Sequence, residues 1–143
     1  MSNFPYLFQP IQIKGLLISN RIVMAAMNTD YASPDGEVTS QLIDYFVERA
    51  RGGVGLIITS AVAVDLNAKK RVGELCGYSD DFIPGLRRLA DKVHQAGSKI
   101  FMQIVHVGRE LVSSTSLKFV GKAVGPSSLP HPLTGEPCRE LTI

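Results

Sequence analysis

The chain has 143 residues, 15 of them Lys or Arg and 13 Asp or Glu, for a formal charge of +2. With 45% hydrophobic and 20% charged residues it has the balance of an ordinary soluble globular chain, and it offers no surplus of cations for nucleic acid, which is not expected as a partner. It contains no apolar run of the roughly 18 residues a membrane span requires, no secretory pattern over residues 1–8, and only Cys76 and Cys138 as thiols, so no membrane partner and a reducing, cytoplasmic setting are expected.

Residues 8–18 predict two short strands turning near Lys14-Gly15, with Ile11 and Ile13 alternating. Asn20 to Met27 is an almost continuous apolar run, which predicts a strand buried on both faces. Ser33-Pro34-Asp35-Gly36 is a turn signal, and Thr39 or Ser40 can cap the helix that follows. That helix carries Leu42, Ile43, Phe46, Val47 and Ala50 on one face. Arg49 and Arg51 suit its C-terminal dipole, and Gly52-Gly53 stops it. Val54 to Thr59 predicts a second apolar strand. After a looser stretch from Asp65 to Tyr78, Ser79-Asp80-Asp81 caps a second helix that tolerates Pro84 in its first turn. Its buried stripe is Leu86, Leu89, Ala90, Val93 and Ala96, and Gly97 ends it. Lys99 to Val105 predicts a third strand; from Val107 onward the chain is rich in Gly, Ser and Pro, without a clear element.

Apolar strands alternating with amphipathic helices imply parallel strands joined by crossovers. A doubly wound sheet would carry a Gly-rich turn after its first strand, where this chain has Ala25-Ala26-Met27-Asn28. The expected class is therefore α/β, with residues 1–143 as the N-terminal portion of a (β/α)8 barrel: a hairpin and about three βα units, incomplete in this chain. Three parallel strands leave open edges, so the isolated chain is expected to self-associate.

In a barrel the chemistry sits at the C-terminal ends of the strands, here Ala25 to Asn28, Ser60-Ala61 and Gln103 to Arg109. Gln103 is an amide in an otherwise apolar strand, and a buried amide must find partners. A ligand edge with both donors and acceptors, such as that of an isoalloxazine, would supply them; so would neighbouring backbone. Ala25, Ala26, Ser60 and Ala61 are small enough to let a flat ring approach, although alanine is also common in cores.

Five motifs then occur in order: Leu7-Phe8-x-Pro10, Asn20-Arg21-Ile22-Val23-Met24, the run from Arg49 to Ile58 containing Gly52-Gly53-Val54-Gly55, Gln103-Ile104-Val105-His106-x-Gly108-Arg109, and Gly125-Pro126-Ser127. Together they resemble the Old Yellow Enzyme family of FMN-dependent oxidoreductases. Asn28-Thr29-Asp30-Tyr31, Pro130-His131 and Cys138-Arg139-x-Leu141-Thr142 are most similar to its anaerobic branch, the 2-enoate and 2,4-dienoyl-CoA reductases.

The resemblance implies an ene-reductase that takes electrons from NADH or NADPH through FMN and reduces a small activated alkene. It implies that Ala25, Ala26, Met27 and Asn28 form the flavin-contacting loop after the first strand, with Ala26 where relatives usually have proline. Asn28 falls where they place Thr or Cys near the flavin O4 and N5. Ala61 matches a small flavin-contacting residue, and Gln103 the amide that bonds the pyrimidine edge. Val105 and Tyr31 are expected near the substrate pocket. His106, Arg109 and Arg21 are read as structural, and His94 as solvated. Cys76, His131 and Cys138 lack ligand spacing, so no metal site is expected.

No catalytic residue is assigned, because the family's substrate-anchoring pair and its phosphate site come from later strands. The anaerobic branch further implies an Fe–S cluster and FAD in regions outside this stretch. The alternatives are a non-catalytic flavin-binding or assembly module that completes a barrel with other chains, and a small α/β protein of unrelated function.

Overall fold

In the computed structural model, which describes residues 3–111 and 123–142, strands β1 (Ile11–Ile13) and β2 (Leu16–Ile18) pair as an antiparallel hairpin in the register Ile11 to Ile18. Its two-residue turn places Lys14 at φ 50°.

Strands β3 (Val23–Met24) and β4 (Leu56–Ala63) run parallel, and Leu56 is flanked by Val23 on one edge and by Lys99 on the other. Between them lies helix α1 (Ser40–Arg51), whose N-cap Thr39 accepts a 3.1 Å bond from the Leu42 N–H. The same hydroxyl donates to the Tyr31 carbonyl, which ties the cap to the preceding loop. A two-residue strand, β5 (Leu75–Cys76), joins β4 at Val62 and Ala63. Because Val62 also pairs with Ile104 on the opposite edge, β5 occupies the edge that β3 has vacated.

Ser79 caps a 3-10 turn (Asp80–Phe82) that leads into α2 (Ile83–Gln95), with Pro84 in its first turn. Strand β6 (Lys99–Val105) follows and is parallel to β4. Helices α1 and α2 cover one face of the sheet, so Leu42, Ile43, Phe46, Ala50, Leu89 and Val93 form one core with Ile57, Val62 and Leu75. Phe46 is fully buried there; truncating such a ring to alanine costs roughly 3–5 kcal/mol, lost burial and cavity together.

Two of the motifs prove to be one structural device. The Asn20 side chain donates to the Gly53 carbonyl at 2.8 Å and accepts from the Ile22 N–H at 3.0 Å. A Cβ on Gly55 would lie 2.6 Å from Asn20 Oδ1, so only glycine lets the strand pass. The Asn20-Arg21 and Gly-Gly-Val-Gly motifs therefore fit each other at the start of the sheet.

Several expectations are corrected. The first strand is two residues long rather than eight, and Val23 is 49% exposed rather than buried on both faces. Beyond Met24 the backbone leaves the ladder and docks on β4 through side chains. The second strand does not stop at Thr59 but continues to Ala63, past an irregularity described below. Strand β6 stands where it was expected, yet Ile104 is 68% exposed, because among the described residues no strand pairs with its outer edge.

The segment after Val107, expected to lack elements, contains a 3-10 turn (Gly108–Glu110) and two short parallel strands, β7 (Val124–Gly125) and β8 (Arg139–Glu140). Composition hides such pieces, since two-residue strands carry no period.

Candidate functional site

The site is built at the C-terminal ends of β3, β4 and β6. The pairing of β4 with β6 begins as Leu56 to Lys99, Ile57 to Ile100 and Ile58 to Phe101, then resumes as Ala61 to Gln103, Val62 to Ile104 and Ala63 to Val105. The offset falls from 43 to 42, so Thr59 and Ser60 together oppose Met102 in a β-bulge.

Side chains satisfy what the bulge leaves unpaired. Thr59 Oγ1 accepts from the Gln103 N–H at 3.0 Å and donates to the Ser60 carbonyl at 2.8 Å. The Ser60 hydroxyl donates to the Met27 carbonyl at 2.8 Å, and the Ala61 N–H donates to Asn28 Oδ1 at 3.1 Å. Thr29 adds a hydroxyl 3.4 Å from that of Ser60. The stretch after β3 is thus held on β4 by serine and asparagine side chains instead of a backbone ladder.

The result is a row. Asn28 is bonded to Ala61, and Ala61 is paired in register with Gln103, so three expected site residues from three segments lie side by side. Ile100 packs into the helix-covered core, so alternation along β6 turns Gln103 and Val105 to the opposite face.

The asparagine is oriented by chemistry, since the atom facing the Ala61 N–H must be its acceptor oxygen. Asn28 Nδ2 is left with two hydrogens and no bond to any described residue. Gln103 is exposed, not buried as expected, because β6 is the outer strand here; its amide likewise makes no side-chain bond to a described residue. Donors at Asn28, a donor and an acceptor at Gln103, and little bulk at Ala61 form a set suited to the polar edge of a planar heterocycle.

The other expected positions are placed as follows. Ala25 is exposed and Ala26 half-buried on the segment leading to Asn28. Met27 is 58% exposed, and its carbonyl is already engaged by Ser60. Tyr31 is not brought to the row: its ring packs edge-on against Tyr45 of α1, with centroids 5.6 Å apart, at the margin of the helix core. His106 Nδ1 accepts from the Gly108 N–H at 2.9 Å, a local turn contact, and His94 is exposed on α2.

Thr59 was not singled out from sequence, although a Thr-Ser pair inside an apolar strand was the available signal. The organisation around His131 was also missed. This buried ring accepts from the Leu133 and Thr134 N–H groups through Nδ1, and its Nε2 lies 3.3 Å from Glu110 Oε2.

Burial pushes the Cys76 thiol above its ordinary value; Lys69 opposes the rise and Glu74 adds to it. Lys69 is buried with its ammonium on the Pro34 carbonyl, and Glu74 accepts from the N–H groups of Lys70 and Arg71. The Lys69 contact ties the 65–78 loop to the 30–38 loop, while the Glu74 bonds brace the 65–78 loop internally. Among the described residues, no three His, Cys, Asp or Glu side chains converge as metal ligands would.

Comparison with known proteins places this geometry. Residues 6–143 match the model of the NADH:flavin oxidoreductase / NADH oxidase family. The chain is 46% identical over 144 residues to the NADH oxidase of Thermoanaerobacter brockii, covering all of this chain and 22% of that protein. It is 38% identical over 151 residues to the cinnamate reductase of Clostridium sporogenes, covering 97% of this chain and 22% of that protein.

Among solved structures, a 2-naphthoyl-CoA reductase in complex with 2-naphthoyl-CoA superimposes with a TM-score of 0.85 at 31% identity, over 97% of this chain and 23% of that one. The old yellow enzyme homologue of Zymomonas mobilis does so with a TM-score of 0.80 at 28% identity, over 97% and 40%. The architecture is that of the N-terminal portion of a (β/α)8 barrel, and the chain spans about a fifth of the length of the two relatives.

Proposed function

The chain belongs to the NADH:flavin oxidoreductase / NADH oxidase family, and on that premise we propose that it is part of an FMN-dependent enzyme in which NADH or NADPH drives reduction of an activated C=C bond of the enoate or enoyl-CoA type. The observation that carries this reading is the row Asn28–Ala61–Gln103 at the C-terminal ends of the strands, where Asn28 Nδ2 and the Gln103 amide make no bond to a described residue. Cinnamate, named in one relative, has its alkene conjugated to a carboxylate, and naphthoyl-CoA, named in another, is a thioester; both support an electron-poor, acyl-activated substrate.

Bound there, FMN would supply hydride transfer between the reduced nicotinamide and the alkene. The Asn28 Nδ2 group would donate to the bound ring and favour negative charge on it. Gln103 offers one donor and one acceptor to a complementary polar edge. Ala25, Ala26 and Ala61 leave room for close approach, while Val105 borders the substrate. The Ser60 and Asn28 bonds fix the loop before any ligand arrives, so little ordering entropy remains to oppose binding. In this reading an Fe–S cluster and FAD accompany the FMN in sequence corresponding to the rest of the longer relatives. A cytoplasmic setting belongs to it as well, supported by two cysteines that stay unpaired.

The test uses the full-length protein purified in yellow form. The reading expects stoichiometric FMN, anaerobic bleaching by NADH or NADPH, and reoxidation by cinnamate or crotonyl-CoA in the absence of oxygen. Loss of FMN on desalting, or a reduced flavin that no enoate or enoyl thioester reoxidises, would contradict it.

A further inference from the structure

We propose that Thr59 is a positioning residue for the flavin face: its hydroxyl builds the bulge that turns Ala61 to the same side as Gln103 and presents the Ala61 N–H to Asn28. The inference rests on the flavin reading above.

In a regular strand alternate residues share a face. Ile57 packs toward the helices, so an unbroken β4 would send Thr59 and Ala61 the same way. Keeping the initial offset of 43 would place Gln103 opposite Ser60, and Ala61 opposite Ile104. One inserted residue reverses this parity, so that Ala61 pairs with Gln103 away from the helices and Val62 enters the core.

A bulge in a buried strand costs ladder bonds, and Thr59, only 3% exposed, replaces them. Its oxygen receives the Gln103 N–H and its proton goes to the Ser60 carbonyl. Both bonds touch residues of the row or their immediate neighbours. Ser60 and Asn28 then clamp the β3 loop onto the shifted strand. Removing the hydroxyl orphans a donor and an acceptor at once. The regular register, which needs no hydroxyl, becomes the competing arrangement.

The experiment compares Thr59→Val, which is nearly isosteric, with Thr59→Ser and Gln103→Leu in the full-length flavoprotein. FMN dissociation, the visible spectrum of the bound flavin and apo-protein melting are read on each. Thr59→Val is expected to weaken FMN by about ten- to a hundredfold and to shift the flavin spectrum, while Thr59→Ser restores both.

A Thr59→Val protein that melts lower yet binds FMN with unchanged affinity and spectrum would overturn the positioning role. Should Thr59→Val not fold, Thr59→Ser still decides: wild-type affinity and spectrum support the hydroxyl, and loss of either overturns it. Unchanged affinity in Gln103→Leu would sink the flavin reading itself, whereas a Gln103 effect without a Thr59 effect removes only this inference.

Discussion

Ile57 and Val62 stand five positions apart on one strand, an odd separation, yet both pack into the core beneath α1 and α2. A regular strand forbids this, and the Thr59–Ser60 bulge between them allows it. The same irregularity that returns Val62 to the core brings Ala61 beside Gln103. Core packing and site geometry thus depend on one inserted residue.

Asn28 separates two functions of one side chain. In Asn28→Asp a carboxylate oxygen can still accept from the Ala61 N–H, so melting should change little. On the proposed flavin reading the substitution exchanges a donor toward the ring for a negative charge, so the flavin reduction potential should fall. Asn28→Leu should instead cost roughly 1–3 kcal/mol of stability, because the buried Ala61 N–H loses its acceptor. Spectroelectrochemistry and denaturant titration of both variants check the split; an unchanged potential in Asn28→Asp would place its amide away from the ring.

Gly55→Ala should destabilise without touching the site. The added Cβ would meet Asn20 Oδ1 at 2.6 Å and the Asn20 carbonyl at 2.9 Å, both held by the opening of the sheet. Overpacking of this kind costs roughly 1–3 kcal/mol. The melting temperature should drop while FMN affinity in the folded protein stays constant.

The alkaline limb of stability should carry a contribution from Cys76. Burial raises its thiol in the folded state, opposed by Lys69 and assisted by Glu74, so the native state keeps a proton that the unfolded chain releases. Stability is therefore full below the ordinary thiol value and declines as pH rises above it. Tyr78, raised by its own burial and by Cys76, extends the decline upward. Cys76→Ala should flatten the first part of this limb in pH-dependent unfolding, and a limb of unchanged slope would exclude the thiol as its source.

Alone, the 143-residue chain should associate. Phe101, Met102 and Ile104 are exposed on β6, whose outer edge pairs with no described strand, and Leu17 and Ile13 are exposed on the hairpin. Open parallel edges with apolar faces invite pairing between copies. Sedimentation velocity should show concentration-dependent species, and a monodisperse monomer across the concentration range would contradict this.

What was legible in the sequence was what repeats. The stripes Leu42–Phe46–Ala50 and Leu89–Val93 marked the helices, Thr39 the cap of the first, and Lys99–Val105 the third parallel strand to the residue; Ser79 caps the 3-10 turn before the second helix, whose own N-cap, Phe82, makes no side-chain cap bond. The Lys14-Gly15 turn was equally plain. Periodicity could not reveal the early end of β3, because Ala25 to Met27 are as apolar as a strand while side-chain bonds from Ser60 and Asn28 hold that segment off the ladder. Nor could it show the bulge, which is an exception to a period. Gln103 stood out as an amide among apolar residues, yet its exposure depends on which edge β6 occupies, a tertiary fact. Tyr31 was expected near the substrate pocket from the family resemblance; its ring packs edge-on against Tyr45, a tertiary contact that no sequence pattern announces.

FMN affinity of full-length Gln103→Leu, measured beside the melting of its apo-protein, tests the row most directly. The substitution removes a donor and an acceptor from the ligand-facing edge at nearly constant volume, and no described residue depends on that side chain. The account predicts a loss of about 1–3 kcal/mol, or roughly ten- to a hundredfold in affinity, with apo-protein melting unchanged or slightly raised. Unchanged FMN affinity together with a lower melting point would contradict it and make Gln103 a structural residue.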